Sequence, residues 1–156
     1  MVDNPKIMTS WQPGSLGFTL ATEISEPSGS ALAILNRIRS TIIDAGAHKV
    51  VDTGPTSFRF KRKWPGWTMS ALNVVDRGNV QADYLGSYTR IAIKTTFLRW
   101  LIGGVIFAAF VTMQGRSLGY GAAMFAFVML GNGCYTYFVL RSLLARATRE
   151  TVARAA

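Results

Sequence analysis

The side chains that could carry chemistry are few and far apart. The chain has one histidine, His48, and one cysteine, Cys134. A metal site or a thiol–imidazole pair needs several such groups in one place, and a long apolar stretch separates these two. No metal ligand is therefore expected, and His48 reads as a structural or solvated turn residue. Cys134 reads as a small apolar filler. The carboxylates Asp44, Asp52, Asp76 and Asp83 fall at turns and strand ends. General acid–base work would need two of them to converge, and their spacing gives no sign of it.

The glycines form neither a dinucleotide-binding nor a phosphate-loop pattern. The stretch Glu26-Pro27-Ser28-Gly29-Ser30-Ala31 can hold an anion at a helix start, but an ordinary N-cap explains it as well. No catalytic residue and no cofactor is assigned on this reading.

The most conspicuous cluster is Arg59-Phe60-Lys61-Arg62-Lys63-Trp64-Pro65-Gly66-Trp67. It admits three uses. The cations can be the solvated face of a strand whose tryptophans pack inside. They can meet anionic lipid headgroups, with tryptophan at the interface. They can contact phosphates of nucleic acid, with aromatic stacking. A domain tethered to a membrane favours lipid over nucleic acid, and an acidic partner protein would use the same residues. Arg59, Lys61, Arg62, Lys63, Trp64 and Trp67 are therefore candidate lipid- or partner-contact residues, joined by Arg99, Trp100 and Arg141 beside the apolar segments.

The elements that must position these residues follow from composition and period. Half the chain is hydrophobic, and its mean hydropathy is +0.24. Up to Arg90 there are ten Lys/Arg against seven Asp/Glu; beyond it there are seven against one. The more apolar half is also the more basic, as expected of membrane spans with cationic flanks. Two segments approach the length of about 20 apolar residues that a span requires. They are Phe97–Met113 and Gly119–Leu140, joined by Gln114-Gly115-Arg116-Ser117-Leu118. The pattern predicts an antiparallel two-helix transmembrane hairpin within residues 94–144, multi-pass, with a basic cytoplasmic tail over residues 145–156. Cations outside the connecting loop place both termini in the cytoplasm. Met1–Ser15 has no basic region followed by an apolar run and does not read as a secretory signal. A bacterial inner membrane is the expected default.

Small residues mark the helix faces. Gly104 and Ala108 stand four apart, as do Gly119 and Ala123, and Ala122 and Ala126. Such spacing lets helices approach closely in lipid. Asn132, between two glycines, wants a polar partner and is expected to pin one helix to the other or to a neighbour. The apolar centres hold no His, Asp, Glu or Lys, which argues against a proton relay, charge-coupled transport or histidine-held haem.

Residues 1–93 alternate differently. Leu16 to Ser25 has a period of two and predicts a half-buried strand. Ala31, Ile34, Leu35, Ile38 and Ile42 recur at helical spacing, and Gly46 suits the position after the helix. Strands are predicted at Lys49–Asp52, Ser57–Lys63, Trp67–Asp76, Val80–Leu85 and Tyr88–Ile93. Turns are predicted at Trp64-Pro65-Gly66 and Arg77-Gly78-Asn79. The fold class expected is α+β: a small cytoplasmic domain with one amphipathic helix on an antiparallel sheet, in the order β-α-β-β-β-β, with room for one more strand, leading into the hairpin.

The functional expectation is an accessory, assembly or stabilising subunit of a larger membrane complex, non-catalytic and acting through helix packing and its basic domain. Its partners would be anionic lipids and other membrane-protein subunits, with nucleic acid disfavoured. A membrane-tethered sensor for a lipid or small ligand is the alternative, and a membrane-surface enzyme comes third.

Overall fold

Two neighbouring strands near the middle of the fold line the core. In the segment Gly17–Ile24, Phe18, Leu20, Thr22 and Ile24 are buried on one face. The partner Thr89–Thr96 buries Thr89, Ile91, Ile93 and Thr95 while Arg90 and Lys94 stay in water. A computed structural model describes residues 7–12, 17–24, 28–62, 75–86, 88–114 and 117–155. In chain order its elements are β1 (Ile7–Gln12), β2 (Gly17–Ile24), α1 (Ser28–Asp44), β3 (Ala47–Gly54), β4 (Ser57–Arg62), β5 (Arg77–Tyr84), β6 (Thr89–Thr96), α2 (Leu98–Met113) and α3 (Leu118–Ala155). The six strands form one sheet in the order β1-β2-β6-β5-β4-β3, with every neighbouring pair antiparallel.

Helix α1 carries the chain from β2 across the sheet to its far edge at β3. Ala31, Ile34, Leu35, Ile38 and Ile42 form its buried stripe, as their spacing indicates. Gly46, at φ 94°, ends it, and its amide donates to the Ile43 carbonyl at 2.9 Å.

The other half of the helical layer comes from the end of α3. Leu140 and Leu144 are fully buried, and Ala147 and Thr148 nearly so, in the same core as Leu20, Ile38, Phe60 and Ile91. Arg37 of α1 pairs with Glu150 of α3 at the partly exposed rim. Residues 145–150, within the predicted basic tail, lie in a helix packed on the domain, with Arg146 and Arg149 facing water.

The expected fold class needs correction at its membrane end. It called for a two-helix transmembrane hairpin. Among the described residues only α3 is long and apolar enough to cross a membrane. With 16 residues, α2 rises only about 24 Å, short of a hydrocarbon core of about 30 Å. It lies against α3 rather than being a second span.

Two smaller corrections concern the sheet. Ile7–Gln12, to which the sequence pattern assigns no element, forms an edge strand on β2, with Thr9 opposite Leu20. Arg77-Gly78-Asn79, expected to turn, opens β5. Gly78 stands opposite Phe60, and a Cβ there would lie 2.1 Å from that ring. The glycine is a gap for a core aromatic rather than a bend. Gly78→Ala should overpack the core and lower stability by about 1–3 kcal/mol, read as a lower urea midpoint. The predicted turn at Trp64 and all but the end of the predicted Trp67–Asp76 strand lie outside the described residues.

Candidate membrane interface

Helix α2 and the first half of α3 leave the domain together as an arm. Their contact is set by missing side chains. A Cβ on Gly104 would lie 2.6 Å from the Phe125 ring and 3.4 Å from the Met129 sulfur. A Cβ on Gly121 would lie 2.5 Å from Thr112 Oγ1 and 3.0 Å from the Ala108 carbonyl oxygen. Positions rising along α2 thus meet positions falling along α3, so the helices run antiparallel. The Thr112 hydroxyl donates to the Ala108 carbonyl at 2.9 Å, which keeps a polar group satisfied within this contact.

Of the residues expected to pack helices, Gly104 and Ala108 lie in this seam. Ala122, Ala123 and Ala126 are exposed, turned away from α2. Gly121, Phe125 and Met129 take their place. Spacing alone could not choose among the small-residue frames of α3, and the frame in use continues with Phe and Met. Asn132 Nδ2 donates to the Val128 carbonyl at 2.8 Å, one turn back in its own helix. Its amide is thus satisfied locally and does not bridge to α2.

What the arm presents outward is apolar. Ile102, Val105, Ile106, Phe107, Phe110 and Met113 are exposed on α2, and Leu118, Phe127, Leu130 and Phe138 on α3. Ile106 is 65% exposed, Leu130 67% and Phe127 76%. No charged residue occurs in residues 101–114 or 117–140. Continuous apolar surface of this extent marks a membrane or a protein partner.

The arm meets the domain at an aromatic neck. The Phe18 ring lies 5.3 Å from Phe97 and 5.7 Å, edge-on, from Tyr137. The Tyr137 hydroxyl shares a 3.2 Å hydrogen bond with Thr9 Oγ1. Strands β1 and β2, the start of α2 and the middle of α3 are thereby tied together. One turn further along α3, Arg141 is exposed. Arg99 and Trp100 fall in the first turn of α2. Arg59 and Lys61 are exposed on the open face of β4. Arg62 is half-buried, and that burial lowers the pKa of its guanidinium from the ordinary value while leaving it charged. Lys63, Trp64 and Trp67 lie outside the described residues.

The chemistry-bearing residues stay apart. His48 is exposed at the start of β3, and Cys134 is exposed on the arm. Asp52 is held by Arg39 at 2.8 Å, and Asp83 accepts from Gln81 Nε2 at 2.9 Å. Among the described residues no three His, Cys, Asp or Glu side chains are grouped to hold a metal. A groove of about 340 Å³ runs between α1 and the β3–β4 turn, lined by Leu32, Asn36, Arg39, Asp52 and Phe58. The Arg39–Asp52 pair occupies it, with the guanidinium 5.9 Å from the Phe58 ring centre. Compared with family models, curated proteins and solved structures, the chain matches none.

Proposed function

We propose that the chain is an integral membrane protein, held through its apolar arm, that serves as an accessory or assembly subunit for other membrane chains. One observation carries this reading. Helix α3 is continuous over 38 residues, exposed and apolar in its first half, and further along it sets Leu140, Leu144 and Ala147 into the domain core. The first half, residues 118–136, is about 28 Å long, close to the thickness of a hydrocarbon core. In water its exposed Phe, Leu and Tyr side chains would be an aggregation liability; in lipid they are solvated.

The strands before α2 and the second half of α3 belong to one folded domain, which the arm holds at the bilayer. The cationic flanks favour the cytoplasmic side. Ala122, Ala123 and Ala126 support the subunit role. They are exposed small residues of α3 on a side that α2 does not cover, open to the helix of another chain. Native mass measurement after mild extraction should show the chain with partners; monomer alone would remove the subunit part of the proposal.

The membrane part is tested with Cys134, the one thiol of the chain. In intact membranes a membrane-impermeant maleimide should leave it unlabelled, and it should react once the membranes are dissolved in SDS. The chain should also stay in the pellet after alkaline carbonate extraction. Ready labelling in intact membranes, or release by carbonate, would overturn the membrane assignment.

A further inference from the structure

The face of the sheet away from the helices carries a charge pattern that local sequence does not reveal. Cross-strand pairing puts Lys49 opposite Lys61, Lys61 opposite Arg77, and Arg77 opposite Thr96. The next row on the same face runs Val51, Arg59, Asn79, Lys94, Thr19. The last row holds Asp83, Arg90 and Glu23. Five exposed cations, Lys49, Arg59, Lys61, Arg77 and Lys94, thus share one end of the face, while the carboxylates of that face are at the other.

The cationic end is the end from which the arm departs. Thr96 belongs to the first row, and Phe97 leads straight into α2. Arg141 is exposed on α3 at the same neck. Described carboxylates at this end are Asp76, beside Arg77, and Asp44, at the end of α1 on the opposite side of the sheet.

The arrangement works against the isolated fold. Directly opposed side chains on neighbouring strands stand about 5 Å apart, and like charges so placed repel. Lys49, Lys61 and Arg77 make two such pairs in succession. Among the described residues none of the five cations has a carboxylate partner; the ion pairs Arg37–Glu150 and Arg39–Asp52 lie on the helical side. Repulsion of this kind is relieved by an anionic surface that meets all the cations together.

We infer that this cross-strand cationic patch rests on the anionic phospholipid headgroups of the membrane that holds the arm. The inference deepens the membrane reading above and rests on it. Long lysine and arginine side chains at the arm's base can reach the headgroup level while the strands stay in water. Single-stranded nucleic acid fits less well, because bases need aromatic platforms. The described side chains of this face include no Phe, Tyr or Trp; Phe18, Phe58 and Phe60 all point to the core.

The test uses the full chain in mild detergent, titrated with phosphatidylglycerol or phosphatidylcholine, with lipid retention followed by native mass spectrometry. The wild type should retain phosphatidylglycerol preferentially. The triple variant Lys49→Ser/Lys61→Ser/Arg77→Ser should lose about 100-fold of that preference, from three cations near the surface. Arg90→Ser, on the same face at the far end, should leave it unchanged. The triple variant, freed of opposed like charges, should melt no lower than the wild type, and both variants should stay in the carbonate pellet.

A wild type without preference, or a triple variant that keeps it, would overturn the patch assignment. Retention of oligouridylate in place of phosphatidylglycerol, lost in the same variant, would overturn it in favour of nucleic acid. A chain that never sediments with membranes would instead refute the membrane reading beneath it.

Discussion

Alanine at both Leu140 and Leu144 unfolds the α+β domain. Each leucine is fully buried against α1 and the sheet, so each truncation leaves a cavity in a filled core. Such changes cost about 2–5 kcal/mol each. The sites are one turn apart and their effects need not add strictly. Together they still approach the 5–15 kcal/mol that holds a typical domain folded. Urea titration in mild detergent, followed by near-ultraviolet circular dichroism, should show tertiary signal lost at a far lower midpoint. Arg146→Ala, on the exposed side of the same helix, should shift stability by no more than about 0.5 kcal/mol. If the double variant melted like the wild type, the second half of α3 would have to stand free in water.

Phe127→Asp should have an effect of opposite sign to the one expected on a soluble surface. Phe127 is 76% exposed near the middle of the arm. On a helix bathed in water, exchanging an exposed Phe for Asp is close to neutral for stability and helps solubility. At the centre of a bilayer, Asp costs about 3 kcal/mol relative to an apolar residue. That corresponds to about a hundredfold loss in insertion, seen as protein moving from the carbonate pellet to the supernatant. Phe127→Leu should insert normally. The domain's melting in detergent should be the same for both, because Phe127 is not part of the core cluster. Normal insertion of the Asp variant would place this face against water or protein.

The local periods made much of the domain legible. The buried stripe of α1, the alternation of β2 and β4 and the glycine after α1 follow from spacing, because each is decided by which face meets the core. The edge strand β1 was not legible, since it is held by backbone pairing with β2 and its residues, half apolar and half polar, do not alternate. Gly78 misled for a related reason. An Arg-Gly-Asn run reads as a turn until Phe60 is known to stand opposite.

The membrane end shows the same limit. Hydropathy found both apolar segments and ended the first at Met113, where α2 ends, but could not show that the far end of α3 packs into the core. Charge near the end of an apolar helix was taken as its exit into solvent. In fact Arg141, Arg146 and Arg149 line the wet side of a helix whose other side carries Leu140, Leu144 and Ala147. Of the cationic patch, Arg59 and Lys61 were visible in sequence. Lys49, Arg77 and Lys94 join them only through strand register.

The continuity of α3 also fixes the order in which the molecule can be made. Chains leave the ribosome from their N-terminus at about 5–20 residues per second. The strands and α1 emerge first, yet half of the sheet face stays uncovered until Leu140, Leu144 and Ala147 arrive. Residues 98–136 emerge before them. The arm is therefore available to the bilayer while the domain is still incomplete, and the core closes only afterwards. A product that stalls before Tyr137 exposes an apolar arm and a half-covered sheet face together.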